Sequence, residues 1–252
     1  MTIINGTSHH KCSFFFGDAT TCPLSATHLK PASAGERHSP EFFPWADQLR
    51  QRLGLAHLVL QKQVHGTDGW NITDINQLAG ALDCFTHTGD FLITNQPNIG
   101  IGVLTADCLP VIFCAPQHRV VAIAHAGWPG TVKNISIKVL TSLQQHYDIT
   151  PKDILIYFGP SAQSCCYEVT SEFEKHLQTC PYTKDVLITR NGHLYFDNPG
   201  LNKLQLVTAG VKEENINISA HECTICNNRF HSYRRATNKQ NYGTQATIVW
   251  IK

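Results

Sequence analysis

Five short, strand-like runs crowd into one half of the chain, at residues 58–64, 90–94, 99–105, 109–113 and 119–125. Their Val, Ile and Leu content and their Gly, Pro and Asn flanks predict strands buried inside a sheet. Helical periodicity is sparser. Val132, Ile135, Val139 and Leu143 recur at three- and four-residue spacings, which predicts a helix with one apolar face after Gly130. Strands follow at 154–158, 186–189 and 193–196. A short helix between the first two of these has Ser171 and Glu174 in capping-box positions. A helix over 199–209 ends at Gly210, NINIS alternates around 217–219, and ATIVWI (246–251) closes the chain as a strand. Strands outnumber helices without alternating regularly with them. The expected fold is therefore α+β, a single domain over 1–252 with mixed β-sheets packed against helices. Residues 22–44, rich in Pro, Ser, Ala and His, read as a surface excursion.

Three of the strand-like runs end alike, each followed at once by a side chain able to bind metal: His65 in LVLQKQVHG, Cys108 in GVLTADCLPV and His125 in VVAIAHAGW. Gly66 allows close backbone approach behind His65, Pro110 marks a sharp exit near Cys108, and small residues leave space around His125 with Gly127 freeing its turn. If the strand ends lie side by side, two imidazoles and a thiolate converge. Three protein ligands with a fourth position open is the arrangement of a catalytic zinc site. The donors favour Zn²⁺, with copper as the competitor on affinity. Taken singly, each of the three is also at home as a loop histidine or a small buried cysteine.

Other clusters carry less. His221-Glu222-Cys223-Thr224-Ile225-Cys226 holds one C-x-x-C, and no second one completes it. Cys165 and Cys166 are chain neighbours, ill suited to share one ion, and are read as packing. Arg229, Arg234 and Arg235 form either a solvated face or a holder of phosphate or a purine ring. No dinucleotide-binding or Walker pattern is present, and G-x-S-x-G is missing. With 20 basic and 19 acidic residues the net charge is +1, which gives no field for nucleic acid or an anionic membrane. The N-terminus lacks a secretory pattern and no run approaches a bilayer span, so a cytoplasmic protein with reduced cysteines is expected.

The segments QVHG (63–66), TADCLPVIF (105–113), HAGW (125–128), GPS…CCYEV (159–169), CTIC (223–226) and FHSYRR (230–235), in that order, resemble the YfiH-like family. That family is also described as multicopper polyphenol oxidoreductase or laccase-domain. The resemblance runs from about residue 55 to the C-terminus, with the first ~50 residues atypical. It implies one α+β domain and a zinc-dependent purine nucleoside phosphorylase acting on adenosine, inosine, guanosine and methylthioadenosine, with adenosine deaminase activity. The family's metal triad falls on His65, Cys108 and His125. Asp107 is the nearest general acid or base, and Arg234 or Arg235 would neutralise phosphate. Partners are then purine nucleosides and phosphate, for a monomer or weak homodimer. Three family positions differ: Pro129 follows HAGW where arginine is usual, Thr244 stands in the usual T-G-R turn, and no S-T-R-x-G-G appears around Gly17-Asp18-Ala19-Thr20. Two rivals remain. One is copper-dependent polyphenol oxidation; the other is a cysteine hydrolase acting on a peptidoglycan precursor, with Cys108 as nucleophile and His125 as base.

Overall fold

The computed structural model describes residues 12–22, 41–239 and 242–252. Two mixed sheets dominate it. One has the order β1 (Cys12–Phe16), β14 (Gln245–Ile251), β6 (Ile99–Thr105), β2 (His57–Lys62), β4 (Leu82–Thr88). The other runs β13 (Ile216–Asn217), β9 (Leu155–Phe158), β7 (Leu109–Ala115), β8 (Val120–Ala126), β5 (Phe91–Thr94), β3 (Gly69–Ile72). A small antiparallel sheet joins β10 (Glu168–Val169), β12 (His193–Phe196) and β11 (Leu187–Arg190).

Strand periodicity explains the layering. In β8, Val121 and Ile123 face the first sheet, where they meet Ile99, Ile101, Val103 and Val249. Their alternates Val120, Ala122, Ala124 and Ala126 face the other way, onto Ile135, Val139, Leu140 and Leu143 of α3 (Ile135–Tyr147). Central strands covered on both sides are apolar along most of their length, and β6, β7 and β8 are buried at every residue. On the far side of the first sheet, Phe42, Ala46 and Leu49 of α1 (Phe42–Arg52) cover Leu58, Leu60 and Ile248. The order is helix, sheet, sheet, helix. This is the α+β architecture with mixed sheets that the patterning predicts.

Local differences have local causes. The helix expected after Gly130 is two, α2 (Trp128–Val132) and α3, because Asn134 between them takes φ 62° in the left-handed region that Asn tolerates. Ser171 and Glu174 do not form a capping box. Ser171–Leu177 is a 3₁₀ stretch whose N-cap is Thr170, without a side-chain cap bond. Val186 ends α4 (Thr183–Val186) instead of starting a strand, and only Ile216–Asn217 of NINIS pairs. The helix foreseen over 199–209 is α5 (Asn198–Thr208), stopped before Gly210 at φ 96°. Much of the foreseen surface excursion, residues 23–40, lies outside the described residues, and its end from Phe42 is helical. Among the described residues no helix is long and apolar enough to cross a membrane.

The candidate ligands lie where the two sheets meet. Cys108 ends a three-residue crossing from β6 in one sheet to β7 in the other, turned by Asp107 at φ 89°. His125 pairs with Pro110 on the adjacent strand, two residues from Cys108. His65 follows β2, the parallel neighbour of β6.

Candidate metal centre and its pocket

Ligand atoms of His65, Cys108 and His125 all lie within 4.8 Å of one another. Cys108 Sγ is 3.6 Å from His65 Nε2, and the two imidazole rings meet edge to face with centroids 4.7 Å apart. Gly127 leaves the room this needs. A Cβ there would stand 2.6 Å from His65 Cδ2 and 3.0 Å from Cys108 Sγ.

What arranges the trio is Asp90, a residue without any motif around it. The residue is 1% exposed. The carboxylate accepts the backbone N–H groups of Val64 at 3.2 Å, His65 at 2.9 Å and Gly66 at 2.7 Å. It also accepts Nδ1–H of His125 at 2.9 Å, while its own carbonyl accepts the His125 amide at 2.7 Å. One carboxylate thus fixes both histidines: it holds the His65 loop at φ 58°, and it assigns the His125 tautomer that leaves Nε2 for the site. A buried acid directly before the strand FLIT, in a chain only 15% charged, was the available sequence signal.

The electrostatics follow. Burial pushes the Cys108 thiol up, but His125 and His65 outweigh it and bring the thiol down to about 6. Burial pushes His125 down, and Cys108 with Asp90 reverses that, to about 9. Burial also opposes charge on Asp90, yet the hydrogen bonds from His125 and the loop amides hold its carboxyl below the usual value. A ready thiolate next to a backed imidazole is a strong donor set for a divalent cation.

Above the trio is a cavity of about 490 Å³, in the range of small-molecule sites. Its walls are aromatic, with Phe85, Trp128, Tyr167, Tyr233 and Tyr242. Asn198 and Thr244 also line it, and both bring unpaired buried atoms. Among the described residues, Asn198 Oδ1 and Thr244 Oγ1 have no hydrogen-bond partner, although Asn198 Nδ2 donates to Ala126 O at 2.9 Å. Unpaired buried polar atoms at a pocket wall suit a ligand's donors.

The other expected site residues divide. Asp107 lines the cavity, with Oδ1 accepting Thr224 Oγ1–H and Oδ2 accepting the Arg234 amide, both at 2.6 Å. A carboxylate has about four acceptor directions, so two remain. Arg234 lines the cavity, its guanidinium donating to Glu168 O at 2.6 Å and standing 5.2 Å from the Tyr167 ring centre. Arg235 does not join it. Its guanidinium donates to the carbonyls of Thr224, Ile225, Asn227 and Phe230, so of the two arginines it is Arg234 that faces the cavity. Lys62, which carried no signal, supplies the pocket's other cation. Pro129 sits in the first turn of α2, where its fixed φ and missing N–H are tolerated.

The family model described as multi-copper polyphenol oxidoreductase laccase matches residues 46–252. The chain belongs to this family. Among curated members, a purine nucleoside phosphorylase YlmD from Geobacillus stearothermophilus is 34% identical over 187 residues, 72% of this chain and 68% of that protein. An adenosine deaminase RL5 from an unknown prokaryote is 33% identical over 199 residues, 74% of each chain. In three dimensions the laccase-family chain is similar to the solved structure of YlmD from G. stearothermophilus. The TM-score is 0.77 with 27% identity, over 96% of this chain and 91% of that one. A hypothetical protein YfiH from Bacillus licheniformis gives TM-score 0.79 at 24% identity, covering 96% and 93%.

Proposed function

We propose that this chain is a zinc-dependent purine nucleoside phosphorylase that also deaminates adenosine. The observation that carries the reading is the convergence of His65, Cys108 and His125, organised by Asp90, at an aromatic-walled cavity of about 490 Å³. Two imidazoles and a thiolate with one position open fit zinc, and His65, Cys108 and His125 would hold it. Bound there, zinc supplies Lewis acidity toward the reacting atoms. Among the described residues, the two clusters of potential ligands contain two imidazoles in all, which favours zinc over a multicopper oxidase. The relatives named purine nucleoside phosphorylase and adenosine deaminase support the substrate class.

In phosphorolysis a phosphate oxygen bonds to the anomeric carbon of ribose as the bond from that carbon to the purine nitrogen breaks. The electron pair leaves with the base. Arg234 and Lys62 are the cations lining the cavity, and they counter the phosphate charge. Aromatic walls stack the purine and exclude water. In deamination, Asp107 moves the proton between the attacking water and the departing amine.

A second reading has a specific observation behind it. Without metal, Cys108, His125 and Asp90 form a thiolate, imidazolium and carboxylate series suited to a cysteine hydrolase. Metal analysis of the full-length protein separates the two, followed by product identification from adenosine with and without phosphate. Adenine formed only with phosphate reports phosphorolysis, and inosine reports deamination. Nucleoside turnover that survives complete metal removal overturns the zinc reading.

A further inference from the structure

Four cysteines outside the pocket lining come together from two segments, 165–166 and 223–226. The turn after β9 folds so that the amides of Cys166 and Tyr167 both donate to Gln163 O, at 2.9 Å each. Around that curl the sulfurs of Cys165 and Cys166 stand within 4.8 Å of each other. The 221–226 segment comes alongside through a parallel bridge between Ser161 and Cys223, with Ser161 N–H donating to Glu222 O at 3.1 Å and Thr224 N–H to Ser161 O at 3.0 Å. As a result Sγ of Cys165, Cys166, Cys223 and Cys226 all lie within 4.8 Å of one another.

We propose that these four thiolates bind a second zinc ion, structural in kind and separate from the pocket trio. A zinc tetrathiolate has Zn–S bonds of about 2.3 Å and hence sulfur–sulfur edges of about 3.8 Å. Sulfur–sulfur separations of at most 4.8 Å therefore have to close by about 1 Å or less to seat an ion. The Cys223-Thr224-Ile225-Cys226 turn is built for this. Burial opposes charge on the Cys223 sulfur, and the backbone N–H groups of Cys226, Gln163 and Ile225 outweigh it in favour of the thiolate, the form a metal takes. All four positions of the tetrahedron come from protein, so none is open to substrate, which is the mark of a structural site. The missing second C-x-x-C is replaced by a vicinal pair.

The consequence for the pocket is mechanical. Cys166 precedes the wall residue Tyr167, and Glu168 O anchors Arg234. Thr224, inside the C-x-x-C, holds Asp107. An ion among the four sulfurs ties these two loops together at the cavity edge.

The test starts from a full-length His65→Ala/Cys108→Ala variant, which cannot load the pocket trio, so its outcome is independent of the proposed catalysis. Purified under reducing conditions with Zn²⁺ supplied, it should retain about one zinc per chain. Adding Cys223→Ser and Cys226→Ser should remove it. If that last variant does not fold, Co²⁺ loaded into the His65→Ala/Cys108→Ala protein gives the answer. Intense ligand-field and thiolate-to-cobalt charge-transfer bands are expected from four sulfurs. No zinc in the reduced His65→Ala/Cys108→Ala protein, a cobalt spectrum without charge transfer, or iron in place of zinc would each overturn the proposal. So would peptide mapping that finds these cysteines joined as disulfides in freshly isolated protein.

Discussion

Replacing Asp90 by Asn should damage the metal centre and the fold together. The carboxylate accepts four donors: the amides of Val64, His65 and Gly66, and Nδ1–H of His125. An Asn amide has one acceptor oxygen. With that oxygen kept toward His65 and His125, its NH₂ group faces the Gly66 N–H, donor against donor. One charge-assisted bond is lost, for about 1.5–3 kcal/mol, and the others fall to neutral strength. Breaking a buried charged partnership of this kind typically costs about 3–5 kcal/mol. For a chain of this size, about 4 kcal/mol corresponds to a melting temperature lower by about 8–16 °C. Because the oxygen that orients His125 is weakened as well, zinc affinity at the trio should drop about 10–100-fold. Thermal melts of metal-free protein and competitive zinc titration measure the two effects separately. The pH dependence supplies a control. Asp90's carboxyl is held below its unfolded value of 3.8, so its contribution is full above that pH and is lost as the pH falls through the lower folded value. The stability gap between wild type and Asp90→Asn should therefore be flat at neutral pH and close only below about pH 4. A variant that melts within about 2 °C of wild type and binds zinc within about threefold would refute the organising role of Asp90.

The two arginines should separate cleanly. Arg234→Ala is expected to raise the phosphate KM of inosine phosphorolysis about tenfold or more, with little change in melting temperature. Arg235→Ala should instead lower stability by about 2–4 kcal/mol, as four carbonyls lose their donor, and leave the phosphate KM of the folded fraction unchanged. The reverse pattern would move the phosphate contact to Arg235. Gly127→Ala should push His65 and Cys108 apart, because the added carbon would lie 2.6 Å and 3.0 Å from them. Metal content and turnover should fall in step, and full zinc loading would contradict the crowding. In metal-stripped protein, alkylation of Cys108 (the rate difference between wild type and Cys108→Ala) should titrate with a midpoint of about 6. The sign runs both ways across the pair. The lowered thiol adds stability that is lost as pH falls through about 6, and the raised His125 adds stability that is lost as pH rises through about 9. An alkylation midpoint near the ordinary thiol value would rule out the ion pair.

The trio could be found in the sequence because each ligand marks the same event, a strand leaving its sheet, and burial makes those strands apolar enough to recognise. The same logic located β6, β7 and β8 to within a few residues. Features set by a turn were harder to read. Asn134 splits one amphipathic pattern into two helices through a single backbone angle, and a 3.6-residue period cannot register that. Arg234 and Arg235 are adjacent in the chain, yet one lines the cavity while the other is bound to carbonyls of the 224–230 loop. Adjacency of Cys165 and Cys166 in the chain says nothing about where their sulfurs lie, which the 163–167 turn decides. Asp90 is the sharpest case. Its chemistry is that of any aspartate, and its importance comes wholly from what the fold brings to it: a loop from one sheet and an imidazole from the other. Ligands announce themselves by residue type, and the residues that aim them are recognisable only by their partners. Yet an acid sealed at the start of a buried strand is an expensive arrangement unless several donors converge on it. Burial of a charge in a charge-poor chain therefore predicts an organising residue on physical grounds alone, even when its partners lie 25 and 35 positions away.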